Sequence, residues 1–285
     1  MRIPRTKSAA RGVAATALAI VAFGAADPAG AGRGLTIKGS DTMVILGQRW
    51  AEEYMRAHPK AVIQVTGGGS GTGIAALING TTDICQASRP MKEDEKRKLR
   101  DRFQTMGVEI PVARDGLAIY LHESNPVEAL SLEQLRGIYT GRITNWKELG
   151  GPDARIVLYS RENNSGTYVY FKDHVLGGRD YSPACQTLPG TAAVVNAVAR
   201  DPHGIGYGGG AYGRGVKEIA VRKDAASPAV KPSLETVRDG SYPVSRYLYF
   251  YLRQRPTGEA KAFVDWVLSD EGQQIVTKVG YFPVK

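Results

Sequence analysis

The chain has 285 residues, with 37 lysines and arginines against 28 aspartates and glutamates. That length suits one large or two smaller α/β domains, and a formal charge of +9 fits an anionic ligand without requiring nucleic acid. The two cysteines form no CxxC and the four histidines (His58, His122, His174, His203) no HExxH, so neither a metal nor a cofactor is expected.

The first 32 residues read as a cleavable secretory signal. A basic start (Arg2, Arg5, Lys7, Arg11) precedes an apolar run over residues 13–23, then small residues near Ala29 to Gly32. The run is too short to span a bilayer. Its removal leaves 33 basic and 27 acidic residues, a balance of +6. No cysteine lies near its end to carry a lipid, so a soluble periplasmic protein is expected. In that oxidising compartment Cys85 and Cys185 could form a disulfide or stay as buried thiols, and their spacing does not choose.

Strand, small polar loop, helix is the next pattern. "LTIKG" (35–39) alternates like a strand; "SDT" follows, and Leu46, Trp50 and Tyr54 then recur at helical spacing until Pro59. The same order returns in "AVIQVTG" (61–67), "GGSGTG", and a helix carrying Ile74, Leu77 and Ile78 that ends at Asn79-Gly80. "KEDEKRKLRDR" (92–102) mixes both charge signs and reads as a solvated helix face rather than a nucleic-acid patch. Residues 110–126 read as strand and turn, and residues 131–151 as a short helix with a Gly/Pro-rich exit. The third copy of the pattern is "RIVLYS" (155–160), "RENNSGT", and a helix with Phe171 and Val175 on one face and Gly177 past its end. A helix, a turn and the glycine-rich strand "GIGYGG" follow. The chain closes with a strand and two helices, the last started by the serine of "SDEGQQ".

The repetition has a physical meaning. Helices that begin beyond the carboxyl ends of strands present unsatisfied N–H groups and a positive dipole end, and both favour an anion. Serine and threonine hydroxyls there donate further hydrogen bonds, and glycine lets the backbone come close. Three such starts converging on one point would enclose an anion without a metal.

Two rival chemistries fit less well. "GGGSGTG" (67–73) has Thr72 where GxGxxG needs its last glycine, and Ile74-Ala75 where a Walker loop needs lysine and a hydroxyl, so nucleotide binding fails on the motif. A hydrolase would need a base beside Ser70 or Ser165. "NSGTY" is no G-x-S-x-G elbow, and His174 lies along the expected helix, pointing away from Ser165. Arg161, by contrast, offers a planar fork of donors suited to a tetrahedral oxyanion, four residues ahead of the Ser165-Gly166-Thr167 helix start.

"GSDTM", "GGGSGTGIAALINGTTDI", "ASRP", "YTGRITNWKEL", "SRENNSGTYVYF", "GIGYGG" and the closing "LSDEGQQIVTKVGYFPV" together resemble the phosphate-binding proteins of bacterial phosphate ABC transporters, from about residue 35 to the end. The resemblance implies an α/β, two-domain hinged periplasmic-binding-protein fold of type II, with the ligand cleft between domains. Domain I would take residues 33–112 and 244–285, and domain II residues 113–243. It implies a monomeric, non-enzymatic carrier that binds inorganic phosphate and delivers it to an ABC transporter permease. Residue by residue, it points to Ser40, Asp41 and Thr42 in the first loop, and to Ser70, Gly71 and Thr72 in the second. Arg161, Ser165, Gly166 and Thr167 come from the third.

One position departs from the family pattern. Where those proteins place an aspartate after Ala-Ser to accept the proton of hydrogen phosphate, this chain has Arg89. An aspartate there would repel a fully deprotonated anion. Asp41 is then expected to accept that proton, held by Arg89, or else to cap the helix that follows it. Arg89 would itself add an anion-binding donor to the site, which keeps sulfate and molybdate open as alternative ligands; a sensor role, or a secreted serine hydrolase, is the more distant alternative.

Overall fold

The computed structural model describes Met1 and residues 34–285, so the secretory signal expected over residues 1–32 lies, Met1 apart, outside the described residues. β1 (Leu35–Gly39) buries every second residue, and a 3-10 turn at Asp41–Met43 carries the chain into α1 (Val44–Ala57). That helix buries Leu46, Trp50, Ala51 and Tyr54, the stripe its spacing predicts. β2 (Ile63–Thr66) leads into α2 (Ser70–Asn79), which Gly80 ends in the left-handed conformation. α2 starts at Ser70 rather than Ile74, so four residues of the expected loop are its first turn. The turn before it needs glycine: Gly68 and Gly69 have φ of +106° and +90°, and a Cβ on Gly69 would lie 2.7 Å from the Asn164 carbonyl oxygen.

β3 (Ile84–Ala87) is buried throughout, and α3 (Glu93–Phe103) carries the mixed charge run with only Leu99 buried. One long strand, β4 (Val108–Leu121), precedes β5 (Ala129–Ser131) and α4 (Leu132–Tyr139), the latter capped by the Ser131 hydroxyl. β6 (Val157–Arg161) and α5 (Gly166–His174) form the third repeat of the pattern. Then come β7 (Gln186–Leu188), α6 (Gly190–Val198), β8 (Gly204–Gly209), β9 (Lys217–Arg222) and α7 (Leu234–Arg238). β10 (Ser245–Leu252), α8 (Gly258–Val267) and α9 (Asp270–Val279) finish the chain, with Ser269 capping α9 as its sequence predicts.

The strands join in the order β2-β1-β3-β10-β4-β8-β6-β7, with β9 also on β4 and β5 on β9. β1, β2 and β3 pair in parallel, as do β6, β7 and β8; β4 and β10 run antiparallel between these groups. Residues 34–285 belong to one compact unit. Two large buried clusters lie within it. One gathers Leu35, Ile37, Trp50, Val112, Leu248 and Phe263; the other gathers Leu117, Ile119, Trp146, Phe171, Tyr207 and Val244. Cys85, fully buried, and Cys185, partly buried, are free thiols, which resolves the pairing the spacing left open.

Candidate anion-binding site

The three helix starts come together. Ser40 and Thr42 precede α1, Ser70 opens α2, and Ser165 and Thr167 flank the first residue of α5; all five are buried. Thr42 Oγ1 and Thr167 Oγ1 lie 2.8 Å apart although 125 residues separate them. Ser40 Oγ donates to Ser88 Oγ (2.9 Å), which is 3.3 Å from Ser70 Oγ, and Ser88 N donates to Ser70 Oγ (3.0 Å). Gly166 fits over this group because it has no side chain: a Cβ there would stand 2.3 Å from Ser70 Oγ and 2.7 Å from Ser88 Oγ.

Ser165 is the N-cap of α5. Its Oγ accepts from Thr167 N (3.2 Å) and Tyr168 N (3.3 Å), which leaves its proton free to donate outward. Among the described residues, Ser70 and Ser165 form no hydrogen bond to a histidine, lysine or carboxylate, and His174 stacks on Tyr170 with ring centroids 4.0 Å apart.

Arg161 ends β6 with 1 % of its surface exposed. Its Nη2 donates to Asp41 Oδ2 (2.7 Å) and its Nη1 to Thr191 Oγ1 (2.8 Å), while its Nε is buried without a partner among the described residues. Burial pushes its pKa down, and the Asp41 carboxylate opposes that shift. Asp41 also accepts from Gly68 N (2.7 Å), and its own carbonyl accepts from the Tyr212 hydroxyl (2.7 Å).

Two expectations are corrected. Asp41 is held by Arg161 and not by Arg89, and its side chain joins the glycine-rich loop instead of capping its own helix. Arg89 is engaged elsewhere: its Nη1 and Nη2 form a fork with Glu95 (2.8 and 2.7 Å), and Nη1 also reaches the Pro90 carbonyl oxygen (2.9 Å). The reason is local. The first turn of α3 carries Glu93, Asp94 and Glu95, and Glu95 reaches back to Lys92 N, which brings its carboxylate to the arginine just ahead of the helix. Gly71 and Thr72 meet Asn164 at the rim, where Gly71 N donates to the Asn164 carbonyl (2.9 Å) and Asn164 Nδ2 donates to Gly68 O (3.1 Å) and Thr72 Oγ1 (3.4 Å).

A family model described as a PBP superfamily domain matches residues 24–271. The phosphate-binding protein PstS of Pseudomonas aeruginosa is 36% identical over 310 aligned residues, covering 100% of this chain and 96% of that protein. PstS of Bacillus subtilis is 36% identical over 251 residues, covering 88% of this chain and 80% of the other. This chain belongs to the PstS family. A family member's structure agrees: a Clostridium perfringens protein described as a phosphate ABC transporter substrate-binding protein, solved with bound phosphate. It superposes with a TM-score of 0.81 at 34% identity, over 89% of this chain and 100% of that one. The fold is the mixed α/β, type II periplasmic-binding-protein fold.

The PstS-like motifs do not account for every polar group at the site. Ser88, Asn164, Thr191 and Tyr212 are additional members. Ser88 sits inside "ASRP" and Asn164 inside "RENNSGT", so position within those loops was a usable signal. Asp115 and Arg246 are also present and lie on strands β4 and β10. Their only sequence signal is charge interrupting the apolar strands, Arg114-Asp115 in "PVARDGLAIYL" and Arg246 in "YPVSRYLYFYL".

Proposed function

We propose that this protein is a phosphate carrier that closes on the ion and delivers it to an ABC transporter permease. One observation carries the reading: three helix starts bring their buried hydroxyls and Arg161 to one place, with the Arg161 Nε a buried donor that has no partner. A buried unpaired donor is costly, and a tetrahedral oxyanion would satisfy it. The relatives named above are phosphate-binding proteins, and the Clostridium perfringens one holds phosphate.

Ser70, Ser165 and one of the Thr42–Thr167 pair would donate hydroxyl protons, Ser40 and the other threonine would do so by turning from their present partners, Gly71, Thr72 and Gly166 would supply the close backbone of the α2 and α5 starts, and Arg161 would supply the fork. Asp41, fixed by Arg161, would accept the one proton of hydrogen phosphate and so set phosphate above sulfate. Arg89 would act at one remove, fixing the α3 start behind the "ASRP" turn.

Residues 33–112 with 244–285 would form one lobe and residues 113–243 the other, hinged where β4 and β10 cross. The two buried clusters change over between Ala113 and Leu117 and between Val244 and Leu248, within a few residues of each of those boundaries. Closing excludes water, which strengthens each charge-assisted hydrogen bond. Binding without turnover is supported by the relatives, which are phosphate-binding proteins. Work outside the cytoplasmic membrane fits a chain in which no helix among the described residues is long and apolar enough to cross a bilayer.

Calorimetric titration of the anion-stripped protein with phosphate, arsenate, sulfate and molybdate at two pH values tests this reading. Tight phosphate and arsenate binding with little response to sulfate is expected. Sulfate or molybdate binding as tight as phosphate would reassign the ligand, and silence towards all four would remove the carrier reading.

A further inference from the structure

We infer that Arg246 is a second anion-binding arginine, aimed by Asp115 from the crossing of the two strands that join the halves of the sheet. The inference rests on the phosphate reading above and adds a residue that none of the helix-start loops contains.

β4 and β10 place the pair. Arg246 and Asp115 are direct partners in the antiparallel register, and both are buried, with Asp115 at 0 % exposure. Arg246 Nε and Nη2 both donate to Asp115 Oδ2, at 3.0 and 2.8 Å, and Asp115 Oδ1 accepts from Gly210 N (3.2 Å). The carboxylate therefore holds the guanidinium in one plane and itself touches no hydroxyl of the clamp. Asp115 is a positioning residue.

The other edge of the guanidinium faces the clamp. Nη2 donates to Thr167 Oγ1 (3.0 Å), the hydroxyl that meets Thr42, and Nη1 donates to the Ser88 carbonyl (3.1 Å), whose hydroxyl meets Ser40 and Ser70. A guanidinium has five N–H donors, and these contacts use four, which leaves one on Nη1 beside the serines. Thr167 belongs to α5 and Ser88 follows β3, so one side chain contacts both halves of the molecule. A buried ion pair is a poor device for stability alone, since apolar residues of the same volume usually serve as well or better. A pair that delivers a fork of donors to an anion site has a use that apolar residues cannot match.

The experiment is phosphate titration calorimetry on Arg246→Gln, Asp115→Asn and the double variant, with the melting temperature of each anion-free protein measured alongside. Arg246→Gln is expected to weaken phosphate binding about thirty-fold, the loss of one charge-assisted contact. Asp115→Asn alone should weaken it less, and should change it no further in the Arg246→Gln background, because it acts through the arginine. If Arg246→Gln does not fold, the double variant, which leaves no unpaired buried charge, gives the reading.

A folded Arg246→Gln or double variant that binds phosphate within threefold of the unsubstituted protein would overturn the inference: the pair would then be structural, lowering melting temperature but not affinity. An Asp115→Asn loss that persists in full without Arg246 would overturn the positioning role. An unsubstituted protein that ignores phosphate but binds sulfate would count against the phosphate reading instead, and the same variants titrated with sulfate would still report on Arg246.

Discussion

At Gly166 a hydrogen is all the Cα can carry, because Ser70 and Ser88 occupy the space a methyl would need. Both hydroxyls are tied into the same hydrogen-bonded group, so neither turns aside without breaking a contact. Gly166→Ala is therefore expected to hold the α5 start off the serines at an overpacking cost of about 1–3 kcal/mol. Calorimetry should show phosphate affinity at least tenfold lower, with a normal far-ultraviolet circular dichroism spectrum. Asp41 is tested at the same scale. Asp41→Asn removes the proposed proton acceptor and the partner of Arg161, so the ratio of phosphate to sulfate affinity should fall about tenfold or more; an unchanged ratio would remove Asp41 from selectivity.

The helix starts work as elements because each has its own cap or turn. Ser165 both stabilises α5 and faces the clamp, so Ser165→Ala should lose about 1 kcal/mol as a cap. In a protein of this size that lowers the melting temperature by about 2–4 °C, and calorimetry should show weaker phosphate binding as well; a melting shift alone would make Ser165 only a cap. These elements were the legible part of the molecule. The alternation of "LTIKG", the stripe of Leu46, Trp50 and Tyr54, and the serine before α9 are local signals, and the structure follows them. β9 and α7 were not foreseen: Lys217–Arg222 buries three residues in a row without alternation, and Leu234–Arg238 is too short to show a period. The site followed the same rule. Residues inside the three loops could be named in advance, whereas Asp115 and Arg246, 131 residues apart, meet only through strand pairing. The partner of Arg89 was missed because the glutamate that takes it lies in a charge run that reads as plain solvated surface.

For the whole molecule, one carboxyl sets an acid preference. Glu218 on β9 lies against Gly213, and burial raises its pKa from 4.5 to about 7, with the Asp115 charge adding to the shift and Lys231 opposing it. Its folded pKa lies above its unfolded one, so the native state holds the extra proton between them. Stability from this group is present below about pH 4.5 and lost as pH rises through 7, by up to about 3 kcal/mol. The melting temperature should fall between pH 5 and pH 8, and Glu218→Gln should flatten that fall; an equal slope in both proteins would refute the assignment. The free thiols and the indoles have a different consequence. Burial pushes the Cys185 thiol up to about 12 and raises Cys85 further, so neither offers much thiolate near neutral pH. Trp50 donates to the Gly272 carbonyl, Trp146 to the His203 carbonyl and Trp266 to Glu271, and none of the three shares a hydrogen bond with Asn164 among the described residues. The native fluorophores would therefore barely register closure, and the native cysteines would resist a maleimide dye. One cysteine introduced at the exposed Asn163, beside that rim, would take the label almost alone and turn the closing of the protein into an optical signal.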